Sequence, residues 1–218
     1  WEDKKMFKVK DYMTKDVICT EKDATISEVL ELMKEHGIHR VPVVENQKLV
    51  GLITEGMIAT SHSSATSLSI YELNYLLSKT TVNTVMVKNV ISMNEEELME
   101  SCAETMRTHD IGCIPITDEK NNVVGIVTQN DVFGCFLSVL GWEDKGTRIT
   151  IAVKDELGAI GKLSDIFVQQ KVNISHIGVY SFKDGIANMV VRCDVEDPKN
   201  LIQALEEHGY QVLETYKN

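Results

Sequence analysis

Three blocks of this 218-residue chain occur twice at almost constant spacing, and that doubling constrains the fold more than any other feature. Met13 in Asp11-Tyr12-Met13-Thr14 matches Met86 in Asn83-Thr84-Val85-Met86, 73 residues on. His36-Gly37-Ile38-His39-Arg40-Val41-Pro42-Val43 matches His109-Asp110-Ile111-Gly112-Cys113-Ile114-Pro115-Ile116, again 73 residues on. Leu49-Val50-Gly51-Leu52-Ile53-Thr54 matches Val123-Val124-Gly125-Ile126-Val127-Thr128 at a spacing of 74, which places a one-residue insertion near Glu119-Lys120-Asn121-Asn122.

Each copy reads as one α/β unit. Ile26, Val29, Leu30 and Met33 recur at helical spacing behind a Thr25/Glu28 capping box. Val41–Val44 is a short strand whose proline suits a start or an edge. A turn at 45–48, a strand over Leu49–Ile53 and a helix after Thr54 follow. In copy two, Asn94 with Glu97 predicts a helix start, Ile114–Thr117 and Val123–Val127 are strands, and a helix spans about 128–140. A copy of this size buries too little to be stable alone, so two copies are expected to pack about a pseudo-two-fold axis. Between them, Ser61–Ser67 reads as a polar linker, followed by a short amphipathic helix with Ile70, Leu73, Leu76 and Leu77.

Composition narrows the function. A formal net charge of −11 with no basic stripe argues against nucleic acid and against anionic membranes; no run of apolar residues is long enough for a transmembrane helix, and no signal peptide is expected. Five cysteines without CxxC spacing read as reduced thiols of a cytoplasmic protein. His36, His39 and His109 lie at or near predicted helix C-termini with no completing ligand set, so no metal is expected. Gly158–Lys162 lacks P-loop spacing, and no catalytic nucleophile with its base is visible. Trp1-Glu2-Asp3-Lys4 duplicates Trp142-Glu143-Asp144-Lys145 and Met6 reads as a natural start, so residues 1–5 are expected to be foreign to the chain.

Residues 8–140 resemble a pair of CBS domains, the Bateman module, on the motifs at Met13 and Met86, Pro42 and Pro115, and Gly51–Thr54 and Gly125–Thr128. The resemblance implies an adenosine site on the pattern Gly-apolar-x-Ser/Thr-x-x-Asp, which Gly125–Val132 satisfies and copy one does not, since Met57 stands where the aspartate belongs. It implies ribose contacts from Asp131, a phosphate near Thr128, base contacts from Cys113, Ile114, Pro115 and Ile91, and a phosphate contact from Arg40 across the axis. Thr128-x-x-Asp131 is equally a capping box for its own helix, and both readings stand at this point.

After Gly141–Gly146 the pattern changes to βαββαβ, a ferredoxin-like order. Strands are expected over 148–153, 172–180, 186–195 and 210–216, with a Lys183-Asp184-Gly185 hairpin and an Asp197-Pro198 helix start. This part resembles the ACT domain on Val153–Ile160 and Asn173-Ile174. The resemblance implies an amino-acid site from Asp155, Leu157, Gly158 and Asn173 in a dimer, although Leu157 replaces the usual proline. The whole order resembles the acetoin-utilisation AcuB-type family.

The expectation is therefore an α+β chain. It comprises an N-terminal extension (1–7), CBS repeat one (8–60), a linker with a short helix (61–81), CBS repeat two (82–140), a hinge (141–147) and an ACT domain (148–218). It is read as a cytoplasmic, non-enzymatic homodimer that needs no cofactor. AMP, ADP or ATP in the CBS cleft, and an amino acid at the ACT interface, would regulate carbon metabolism through a protein partner. The ligand would act by favouring one arrangement of the pair, relayed through the hinge. The alternatives are a dimerisation adaptor without ligand and an enzyme using the CBS cleft.

Overall fold

The computed structural model describes residues 7–61 and 69–217. The residues set aside at 1–5, and 62–67 of the expected linker, lie outside the described residues. Contacts divide the chain into two compact units, 1–133 and 134–218.

In the first unit, repeat one runs α1 (Val9–Tyr12), β1 (Thr20–Glu21), α2 (Ile26–His36), β2 (Arg40–Glu45), β3 (Lys48–Thr54) and α3 (Glu55–Ser61). After α4 (Ile70–Lys79), repeat two runs α5 (Val82–Val85), α6 (Met99–His109), β4 (Cys113–Thr117), β5 (Val123–Thr128) and α7 (Gln129–Val139), the last crossing into the second unit. The Thr25/Glu28 box caps α2, and Ser69 with Glu72 caps α4 in the same way. Ile26, Val29 and Met33 bury one stripe of α2 against Val41, Val43 and Ile53. Each such buried side chain contributes about 1.5–3 kcal/mol. Pro42 pairs with Leu52 on one side only, because β1 joins β2 first at Val43, and a residue without N–H fits there.

The expected pseudo-symmetry is written into the backbone. Thr25 bridges Thr81, and its counterpart Leu98 bridges Lys8; Leu52 bridges Val87, and its counterpart Ile126 bridges Thr14. The glycines of the repeat are fixed by the methionines of the other copy. A Cβ on Gly51 would lie 2.4 Å from Met86 Sδ, and one on Gly125 would lie 2.3 Å from Met13 Sδ. Each repeat thus inserts its entry methionine over the glycine of its partner.

One local expectation fails. Asn94 does not cap α6: its Oδ1 accepts from the Glu96 amide and its own amide donates to Glu97, closing a turn. The helix begins at Met99, the counterpart of Ile26, where the Met99 amide donates to the Phe7 carbonyl. Tertiary pairing, set by the repeat, overrides the local cap signal.

The second unit carries β6 (Thr147–Lys154), α8 (Ala159–Gln169), β7 (Ile174–Lys183), β8 (Ile186–Cys193), α9 (Lys199–Glu207) and β9 (Gln211–Lys217). Its antiparallel sheet has the order β7-β8-β6-β9. Leu163, Ile166 and Phe167 of α8 and Leu201, Ala204 and Leu205 of α9 pack on Ile149, Ile151, Met189 and Val191. Asp184 and Gly185 both take positive φ, as the expected two-residue hairpin requires. The segment before β6, expected as a hinge, is tied to this sheet. Buried Arg192 donates to the carbonyls of Leu140 and Asp144, and a Cβ on Gly146 would stand 2.1 Å from the Cys193 carbonyl oxygen. The chain is α+β throughout.

Candidate functional site

Two clefts open between the repeats, and the pseudo-two-fold axis exchanges them. The larger, about 470 Å³, is bounded by Asn89-Val90-Ile91 and Asp110-Ile111-Gly112-Cys113 of repeat two and by Thr54-Glu55-Gly56-Met57 of repeat one. The smaller, about 220 Å³, is bounded by the counterparts Asp16-Val17-Ile18 and Gly37-Ile38-His39-Arg40 of repeat one, with Thr128 and Asn130 of repeat two. Leu52, Cys113 and Ile126 pack together with Val17 and Val90, so the two clefts back onto one apolar cluster.

The residues expected to form one nucleotide site are divided between these clefts. Ile91, Cys113 and Arg40 line the larger, whereas Thr128 and Arg40 line the smaller. Asp131, Ile114 and Pro115 line neither. Ile114 is fully buried opposite Val127, and the Pro115 carbonyl accepts from the Met93 amide, so both back the wall that Cys113 presents. The division follows from the symmetry: the Thr-led helix of one repeat faces the entry segment and loop of the other. Sequence reasoning combined the motif of repeat two with the walls of the same repeat. The repeat register, applied across the axis, picks out Thr54, Asp110 and Gly112 for one cleft and Asp16, Val17 and Ile18 for the other.

Asp131 is half-buried and serves its own helix. Its Oδ2 accepts from the Thr128 amide and from Thr128 Oγ1, both at 2.7 Å. A carboxylate offers about four lone-pair positions, so the cap takes about half of them. At Met57 the box is realised in its other half, the Met57 amide donating to Thr54 Oγ1 at 3.2 Å. Asp110 closes α6 in the left-handed region (φ 51°), where its counterpart Gly37 closes α2, and this turn brings it to the larger cleft.

The polar residues of the larger cleft are His39, Arg40, Thr54, Glu55, Asn89 and Asp110. His39 Nδ1 is bonded to Glu55 Oε2 at 2.7 Å. Arg40 is half-buried, and among the described residues it has no carboxylate partner. Its Nη2 lies 3.0 Å from where a Cβ on Gly112 would stand, so the missing side chain makes room for it. Burial pushes the Cys113 thiol up, against the opposing pull of the Arg40 charge, and it is a wall rather than a nucleophile. Among the described residues no group of three or more His, Cys, Asp or Glu could hold a metal. No described helix is long and apolar enough to cross a membrane.

In the second unit a cavity of about 420 Å³ is lined by Lys154, Glu156, Lys162, His208 and Tyr210, and by none of the four residues expected to bind an amino acid. Leu157 is fully exposed and Gly158 takes φ 81° ahead of α8. The Asp155 amide donates to the Gly185 carbonyl. Asn173 stands at the opposite end of the sheet: its amide donates to Asp194, beside the Cys193–Thr147 pair, while Asp155–Gly158 follow Lys154. An eight-residue strand separates the two ends by roughly 24 Å. One copy does not bring Asn173 to the loop.

Comparison with known proteins follows the same division. The chain is similar to MJ1225 of Methanocaldococcus jannaschii, 32% identical over 130 residues, which are 59% of this chain and 46% of that one; the match thus spans less than half of that relative. It is similar to the solved CBS domain pair of MJ0100 in complex with 5′-methylthioadenosine and S-adenosyl-L-methionine, with a TM-score of 0.51 and 31% identity over 59% of this chain and 98% of that one. A protein from Vibrio cholerae assigned to acetoin utilization, AcuB, superposes with a TM-score of 0.53 at 26% identity, covering 64% of this chain and 96% of that one. The CBS domain family matches residues 9–61 and 82–138, and the ACT domain family matches residues 147–209. With both repeats and the module after them accounted for, the chain belongs to the CBS-domain family as a tandem CBS pair followed by an ACT domain.

Proposed function

We propose that this chain is a ligand-sensing regulatory protein that binds an adenosine-type ligand between its CBS repeats. The observation that carries the reading is the larger cleft. It falls in the size range of small-molecule sites, has an apolar wall of Leu52, Val90, Ile91 and Cys113, and holds one half-buried guanidinium without a carboxylate partner among the described residues. The wall suits a purine, and Arg40 suits a phosphate. The ligands held by the MJ0100 pair support the adenosine class. The smaller cleft is proposed as a second subsite, with Thr128 near a phosphate.

The ACT domain is proposed to take an amino acid where the 155–158 loop of one copy meets Asn173 of a second copy. The separation of these residues in one chain, and the full exposure of Leu157, support a paired arrangement. The likeness to AcuB supports a place in carbon metabolism, exercised through a regulated protein.

A thermal-shift screen of AMP, ADP, ATP, 5′-methylthioadenosine, S-adenosylmethionine and the twenty amino acids tests this. A ligand at 100-fold over its Kd adds ~2.7 kcal/mol to the folded state. At least one adenosine compound is expected to raise Tm. Flat melting curves with all five would leave a scaffold without a ligand.

A further inference from the structure

Arg40 stands at both clefts at once. It lines the larger and the smaller, whereas Cys113, its counterpart in repeat two, lines only the larger. Two clefts made by symmetry therefore share one arginine, whose guanidinium lies beside Gly112 of the larger. His39 also reaches both but is bonded to Glu55, while Arg40 has no carboxylate partner among the described residues. The absent side chain at Gly112 leaves Arg40 room to lean toward the larger cleft.

A guanidinium is a planar fork that grips one phosphate bidentately, and it does not face two ligands in different clefts at full strength. We infer that Arg40 couples the clefts with negative sign for phosphate-bearing adenosine ligands: the first occupant draws the guanidinium to its own phosphate, and the second binds without it. A ligand lacking phosphate makes no such demand. The favoured doubly occupied state therefore holds one anionic and one uncharged adenosine ligand. By linkage the coupling factor is the same whichever cleft fills first. This rests on the adenosine reading above and adds its regulation.

Calorimetric titration of the full chain with AMP and with uncharged 5′-methylthioadenosine tests the coupling. In the wild type the ratio of second to first dissociation constant is expected to be ~5-fold or more larger for AMP than for 5′-methylthioadenosine, the lower end of usual coupling factors. Arg40→Gln should bring the two ratios together. Fixed preference of Arg40 for one cleft would give the same pattern, so a second measurement separates the cases. Met57→Trp fills the larger cleft from its rim. Gly56→Trp does so from an exposed position whose Cβ meets only Thr54 Oγ1 at 3.9 Å. With that cleft filled, AMP should enter the smaller one more tightly than in the second step of the wild type, because the guanidinium is undivided. Binding as weak as that second step, or equal ratios in the wild type, overturns the coupling alone. Absence of heat with both compounds, and with ADP, ATP and S-adenosylmethionine, overturns the adenosine reading itself.

Discussion

The two repeats of the CBS pair agree in packing and differ in chemistry. Met13 covers Gly125 as Met86 covers Gly51, and Ile18, Val17 and Ile38 answer Ile91, Val90 and Ile111 around the two clefts. At other equivalent positions the copies part: Met57 against Asp131, Cys113 against Arg40, Gly112 against His39. The axis gives the first set the same neighbours in both copies. The second set differs even where it is buried, as at Cys113, and makes the two copies chemically unequal. A duplicated fold of this kind yields two clefts of related lining and unequal size.

The packing half of the comparison breaks most severely at the glycines. Gly51→Val and Gly125→Val should each lose about 2–3 kcal/mol by overpacking, read from chemical denaturation. The copies then separate on rescue. The three atoms nearest a Cβ on Gly125 all belong to the Met13 side chain, so Met13→Ala should restore much of the loss in Gly125→Ala. Gly51 also faces the Val87 backbone oxygen at 3.1 Å, so Met86→Ala should restore less in Gly51→Ala. Equal rescue would show that the two contacts are interchangeable after all.

The chemical half is sharpened by exchanging the residues at N3. Asp131→Ala removes the carboxylate that accepts from Thr128 and should cost about 1 kcal/mol of stability through the helix start. Met57→Asp should raise stability by about 0.3–1 kcal/mol through the helix dipole, and should tighten adenosine ligands in the larger cleft by supplying a ribose acceptor. Thermal melts with and without ligand separate the two effects. If Asp131→Ala lowers stability and leaves every ligand affinity unchanged, the residue is a cap and nothing more.

The fold was legible in the sequence because the repeat, the capping boxes and the Asp184-Gly185 hairpin are each signals of backbone geometry. Asn94 misled because a cap is a local preference worth about 1 kcal/mol, which the pairing of Leu98 with Lys8 outweighs. The clefts were legible by residue type and not by grouping. Arg40, Ile91, Cys113 and Thr128 all reach a cleft, but which of them share one depends on the axis between the repeats, and motif spacing along one copy carries no information about that. The segment 141–147 reads as a hinge from its glycines. Those glycines instead permit close approach to His176 and Cys193, and the strong hold of Arg192 on Leu140 and Asp144 has no spacing signature.

The mildest contrast between the copies lies at their outer ends. In repeat two, Glu96 accepts from both Lys8 and Lys10, joining the start of the chain to the turn before α6. The matching positions in repeat one are Asp23, Thr81 and Asn83, which supply no pair of lysines. The two ammonium donors hold the Glu96 carboxyl down at about 2, against an ordinary value of 4.5. A carboxyl held lower in the folded chain than in the unfolded one stabilises the fold above the unfolded value, and that contribution fades as pH falls from about 4.5 to about 2. Glu96 is half-exposed, so salt screens the cluster and the effect is small. Acid unfolding followed by circular dichroism should show Glu96→Gln slightly less stable than the wild type near neutral pH and indistinguishable from it near pH 2. The gap at neutral pH should narrow further in high salt. A gap that persists at pH 2 would mean that the side chain contributes by packing rather than by charge.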